Sequence, residues 1–301
     1  MFSFSTNPFI QASNEGKTTF LGGCALPPAD HAITPFTVQA WSIPREAKFV
    51  LFTCFGPGGQ GGAGSTSAGG GGGGSGNITS ILYPTKLIPE IVYLYAGNSL
   101  AGESPGGGNI PTVYFSAVAL VPDLLTKVAS KLLNYSGGGT RATSAITTTP
   151  GSAGSTSAAT TIIDASFMSL GTWNTLVGGN GTNGGTSGTA PTDITALASS
   201  LVCGGTGGSY AGTTQNAAIT GAGIIPTIIA PATAPSDAPP GFWSWKPICG
   251  TGGPGGGGGI GTDGTGGNGS YGSGGGGGGR GSVTGGNGGD GGPGLVIVTW
   301  W

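Results

Sequence analysis

Hydrophobic and polar positions follow three different patterns along this chain, and the strand pattern is the clearest. The last seven residues, Leu295-Val296-Ile297-Val298-Thr299-Trp300-Trp301, form a β-branched, aromatic-ended run that reads as a buried strand. Similar runs at 36–43, 47–55, 77–83, 90–95 and 112–121 predict further strands, with Pro44-Arg45-Glu46 as the turn between the first two. Leu132 to Tyr135 reads as a strand entering Gly137-Gly138-Gly139. We prefer it to a rival helix capped by Pro122-Asp123, with Leu124, Leu125, Val128 and Leu132 on one face. Residues 1–35, broken by Pro8, Pro27, Pro28 and Pro35, read as an irregular arm that docks on a partner.

Elsewhere the alternation gives way to glycine, 69 residues of 301. The densest block is 250–294, with 28 glycines in 45 residues, unbroken runs at 255–259 and 274–279, and only Asp263, Arg280 and Asp290 charged. Composition alone suggests disorder, but disorder usually accompanies high net charge. This chain has 7% charged residues and a formal charge of −2, and strands bracket its glycine runs. A glycine in a helix or strand interior costs up to about 1 kcal/mol relative to alanine. Collagen needs glycine at every third position over long distances, a register that 250–294 repeatedly breaks. The remaining ordered form is a bundle of extended, left-handed three-residue helices of the polyproline II type, bonded to one another through their backbones. Strand running into glycine recurs at 130–139 and 200–208, and more weakly at 171–185, so several such units are expected side by side.

The expected fold is mainly β, with antiparallel sandwich-like strands combined with packed polyglycine helices and very little α-helix. Four regions follow: the arm 1–35; a β and glycine-rich part, 36–139; a Ser/Thr/Ala/Pro-rich insertion, 140–249; and a glycine bundle closing with a strand, 250–301.

Charge and chemistry narrow the function. The near-neutral balance argues against nucleic acid, which needs a basic surface. No 18-residue apolar stretch predicts a membrane span, and the N-terminus lacks the pattern of a secretory signal. Gly56-Pro57-Gly58-Gly59-Gln60-Gly61 fits a dinucleotide fingerprint after a strand. More glycine follows it instead of a helix, and Asn77 stands where a ribose-binding acid belongs, so no cofactor is expected. Cys24, Cys54, Cys203 and Cys249 have no C-x-x-C spacing, and His31 is the only histidine, so neither a metal site nor a His-based triad is expected. Cys54 and Cys203 read as buried thiols, with a Cys54–Cys249 bridge left open. Glu46, Glu90, Glu103 and Asp123 look like turn residues, and none is placed as a glycosidase pair.

One resemblance rests on an ordered set of features. Trp41-Ser42-Ile43-Pro44 precedes the strand at 49–55, then Gly56-Pro57-Gly58-Gly59-Gln60-Gly61-Gly62 and the run 69–74. A β pair through Leu94-Tyr95-Ala96-Gly97 follows, and the chain closes on Gly-Gly-Pro-Gly-Leu-Val-Ile-Val. Over 41–139 and 250–301 this resembles the glycine-rich domain of virion proteins of tailed bacteriophages, chiefly tail-fibre and tail-tip proteins. The resemblance implies a non-enzymatic virion protein, assembled in the host cytoplasm and acting in attachment to a host-surface glycan or outer-membrane protein. The alternative is a capsid decoration, head fibre or baseplate part; a dinucleotide-binding enzyme is the remote one. The expected partners are other virion proteins and copies of the chain itself, with a trimer favoured. Candidate receptor or interface residues are Trp173, Tyr210, Phe242, Trp243, Trp245, Tyr271, Trp300 and Trp301, since rings beside polar loops stack on sugars and anchor interfaces. The rival reading of Phe242, Trp243 and Trp245 is a plug between the insertion and the glycine bundle.

Overall fold

The computed structural model describes residues 9–11, 18–22, 25–26, 36–100, 115–122, 131–146, 149–155, 170–187, 189, 191–196, 201–210, 219–221, 237–241, 243–245, 248–250, 252–253, 255–258 and 264–301. Sixteen strands fall among them. In the first part of the chain these are β1 Phe9–Gln11, β2 Thr18–Gly22, β3 Ala25–Leu26, β4 Phe36–Ser42, β5 Phe49–Phe55, β6 Ile78–Pro84, β7 Ile91–Gly97 and β8 Ser99–Leu100. The rest are β9 Phe115–Ala119, β10 Leu132–Gly137, β11 Thr172–Leu176, β12 Ile194–Ala196, β13 Ile219–Gly221, β14 Trp243–Trp245, β15 Ile248–Gly250 and β16 Leu295–Trp300. The one helical element that lies wholly among the described residues is the 3-10 turn Thr85–Leu87.

Two antiparallel sheets make a sandwich: six strands in the order β1-β2-β16-β5-β6-β11, and four in the order β10-β9-β7-β4. Period-2 alternation explains the packing. Val50, Phe52 and Cys54 of β5, Ile81 and Tyr83 of β6, and Val296 and Val298 of β16 face the four-stranded sheet. There they meet Val92, Leu94, Ala117, Leu132, Leu133 and Tyr135. Phe55, Ile78, Leu295 and Ile297 point to the opposite face and form a second cluster with Val202. Asn134, at a register shift between β9 and β10, is buried and spans the sandwich, its Nδ2 donating to the carbonyls of Phe52 and Thr79, both at 2.9 Å.

The mainly β class is as expected, with two differences in connectivity. Pro44-Arg45-Glu46 does not join a hairpin: β4 pairs with β7 in one sheet and β5 with β6 and β16 in the other. The turn, closed by Ala47 N–H to the Pro44 carbonyl at 3.0 Å, therefore crosses between sheets. Residues read as an irregular arm also supply β1 and β2, and β2 pairs with β16.

The glycine runs form no ladder. Where described, 252–294 contains neither helix nor strand. Their hydrogen bonds instead change direction with a repeat of three. Gly58, Gly61 and Gly64 donate to the carbonyls of Gly292, Gly289 and Gly286, while Gly59 and Gly62 donate to those of Gly74 and Gly71. The segment 69–77 shows the full pattern. It donates to 272–281 through Gly70, Gly73 and Gly76, to 177–186 through Gly69, Gly72 and Ser75, and to 137–146 through Gly71, Gly74 and Asn77. Its carbonyls accept from 56–65, 149–155 and 202–210. That is six neighbours, and consecutive ones are bonded to each other in a closed ring. A second ring surrounds 272–281, made of 56–65, 69–77, 202–210, 252–258, 264–270 and 285–294. The bundle is thus two fully enclosed segments and eight rim segments in hexagonal array, with every described glycine except Gly272 outside the positive-φ region.

Packing this close leaves no room for a side chain. A Cβ on Gly72 would lie 1.9 Å from the Gly205 carbonyl oxygen, and one on Gly277 2.1 Å from that of Gly70. The stretch 140–249, set apart on sequence as an insertion, contributes to four rim segments, 137–146, 149–155, 177–186 and 202–210, so these parts of it belong to the bundle.

Candidate functional site

Strands and glycine segments share one axis. β5 runs straight into 56–65, 69–77 runs into β6, and 285–294 runs into β16. The molecule therefore has two ends, one formed by the far tips of the sandwich strands and one by the turns between glycine segments. Parallel and antiparallel registers bring the turns at 65–68, 146–149, 186–189 and 281–285 to the same end, together with the exits of 202–210 and 252–258.

At the sandwich end, Trp300 and Trp301 part company, as alternation on a strand requires. Trp300 packs on the core beside Trp41, ring centroids 5.8 Å apart. Trp301 is 48% exposed and stacks on Phe49 at 6.2 Å. Its backbone is held down: the N–H groups of Lys48 and Phe49 donate to its carbonyl. Leu87 and Ile91 are also exposed at this end, where Thr85 Oγ1 donates to the Ala47 carbonyl at 2.7 Å.

At the turn-bearing end, Tyr210 is half-buried and Arg280 lies over its ring, 4.7 Å from the centroid. Arg280 Nε donates to the Thr66 carbonyl at 2.8 Å. Ile146 and Val283 project beside these turns, 73% and 76% exposed. Sequence reasoning missed Arg280, Ile146 and Val283; the signal available was a lone cation and lone aliphatics interrupting runs of Gly, Ser and Thr.

Other candidates are spread between the ends. Trp243 packs edge-on to Phe55 at 5.6 Å and to Tyr271 at 5.4 Å, so these two rings cover the outer face of the six-stranded sheet where strands become glycine segments. Burial raises the Tyr271 hydroxyl above its ordinary pKa. Trp243 thus packs between sheet and glycine segments, whereas the plug weighed for Phe242, Trp243 and Trp245 lay between the insertion and the glycine bundle. Trp173 lies on β11, the edge strand, opposite Ile81, and Trp245 on β14 opposite Ile248. Phe242 lies outside the described residues. The eight aromatic candidates are not one site.

Cys54 and Cys203 are free and buried, so Cys54 makes no bridge to Cys249. Burial pushes the Cys54 thiol far up, and that of Cys203 to about 11 despite the Gly252 N–H donating to its sulfur. No group of three potential metal ligands occurs among the described residues. No helix among them is long and apolar enough to cross a membrane. No family model matches the chain, and no curated protein matches it significantly.

Proposed function

We propose that this chain is a non-enzymatic structural protein of a tailed-phage virion, acting at the tail fibre or tail tip in attachment to the host surface. The observation that supports this most is the bundle itself, with four described turns and the exits of 202–210 and 252–258 held at one end by a backbone lattice that spares side chains for recognition. Loops on a rigid frame are the usual place for binding groups. The three-residue bonding repeat, with φ outside the positive region at every described glycine but Gly272, supports the reading of these segments as extended polyglycine helices.

The opposite end supports a role in assembly. Phe49, Leu87, Ile91 and Trp301 are exposed where the strands finish, and exposed apolar surface on a chain with 7% charged residues is normally covered by a partner. We assign this end to contacts with further copies and with other virion proteins, a trimer being the expected form.

Antibody raised against the purified chain tests the reading. It should label the tail of the particle that carries the chain and block adsorption to host cells. Labelling of the head with adsorption intact would favour a capsid decoration, and labelling of no virion would reject both.

A further inference from the structure

We propose that Arg280, held between Tyr210 and Thr66, is a fork for the acid group of an anionic cell-surface saccharide. The lattice sets the position. Arg280 N–H donates to the Ser209 carbonyl at 2.9 Å, and Gly281 N–H to the Ser65 carbonyl at 3.1 Å. The residues following those two acceptors, Tyr210 and Thr66, are the two that hold the guanidinium. A long side chain normally loses rotamer freedom on binding a ligand; here much of that ordering precedes it.

Chemistry then indicates the ligand. Arginine carries five N–H donors in a planar fork that matches carboxylate or phosphate oxygens two at a time. Nε–H is taken by Thr66, which leaves four for another acceptor. Among the described residues of the ten segments only Arg141, Arg280 and Asp290 are charged, and of these Arg280 alone stands at the turn-bearing end. One cation, with the Asp237 carboxylate held by Thr265 at the same end, does not attract a polyanion such as nucleic acid, which requires many cations. The turns around it carry the exposed hydroxyl residues Thr66, Ser282 and Thr284, and an aromatic ring lies beneath. A single negative charge on a hydroxyl-rich body fits that surface. The inference rests on the attachment reading only for the source of the saccharide.

The probes are glucuronate, glucose 6-phosphate and neutral methyl glucoside, titrated into the full-length ¹⁵N-labelled protein. The chain has three arginines, Arg45, Arg141 and Arg280, and Arg280→Lys assigns the Arg280 Nε–H signal. Either anion should shift that signal saturably, and the stronger of the two identifies carboxylate or phosphate as the natural group. Arg280→Lys, with its melting temperature checked, should abolish binding although charge is kept, and Tyr210→Leu should weaken it about threefold, as for an exposed cation–π contact. No shift with either anion, an equal shift with methyl glucoside, or equal shifts at Arg45 and Arg141 would overturn the fork. Anion binding in solution by a protein whose antibody leaves adsorption untouched would keep the fork and remove the attachment reading.

Discussion

At the scale of single residues, the bundle depends on small side chains that complete backbone bonding. Cys203, Thr206 and Ser209, three apart, accept N–H bonds from Gly252, Gly255 and Gly258 at 3.2, 2.8 and 2.6 Å. Sulfur is the weak member of that row, so Cys203→Ser should keep stability while Cys203→Ala, which orphans the Gly252 N–H, should cost about 1–3 kcal/mol. The thiol also makes the fold alkali-sensitive. An unfolded thiol titrates at its ordinary value of 9.0 and the buried one at about 11, so the unfolded chain loses the proton first. The contribution is complete below 9.0 and is lost as pH rises through about 11. Relative to Cys203→Ser, the wild type should lose on the order of 2–3 kcal/mol over that window in denaturant titrations; parallel curves for the two proteins would contradict it. The aromatic residues were harder to read at this scale. Tyr271 and Trp243 stand in Gly/Ser-rich surroundings that suggest exposed loops, yet those surroundings are bundle segments and strand ends that close over the rings.

At the scale of elements, glycine content reports how many neighbours a segment has. The enclosed runs 69–74 and 274–279 are all glycine. Rim segments keep one side chain in three: Pro57, Gln60 and Ala63; Cys203, Thr206 and Ser209; Asn287, Asp290 and Pro293. The outer segment 149–155 keeps two in three around Gly151 and Gly154. Gly72→Ala should therefore cost at least about 3 kcal/mol, the upper range for overpacking, because its Cβ meets the Gly205 backbone at 1.9 Å. Ser152→Ala, at an exposed position, should stay within about 0.5 kcal/mol. Equal melting temperatures would refute the enclosed lattice. Seven strands, β4–β7, β9, β10 and β16, were legible within one to three residues because alternation and flanking Gly or Pro are local signals, whereas β1 and β2 lay in a stretch that its prolines made look irregular. The x-Gly-Gly triplets were equally present in the sequence but were hidden by reading 250–294 as one block, in which segment turns break the period. The place of 140–146, 149–155, 177–186 and 202–210 in the bundle was not legible, since their partners lie as far off as Gly70 is from Gly208, 138 residues, and identical backbone groups carry no address.

At the scale of the whole molecule, its two ends present different chemistry. The turn-bearing end is hydroxyl-rich and sparsely charged among the described residues, with Arg280 on one segment and Asp237 held by the Thr265 N–H on another. The sandwich end gathers Arg45, Glu46, Lys48, Lys86 and Glu90 around Phe49, Leu87, Ile91 and Trp301, the last four exposed. A chain with few charges has little long-range repulsion to keep such apolar surfaces apart, and mixed charges at the rim of the patch suit a neighbour carrying the same set. Light scattering on purified full-length protein at micromolar concentration should then give the mass of three chains. Trp301→Ser should shift it toward one chain, since Trp301 lends that end its largest exposed ring and aromatic anchors at an interface commonly contribute 2 kcal/mol or more, roughly thirtyfold in affinity. The folded core should survive, because Trp300 and not Trp301 packs on Trp41, and an unchanged melting profile below the dissociation point would show it. A monomer in both proteins would reject self-association through this end and leave the apolar patch to a different virion protein.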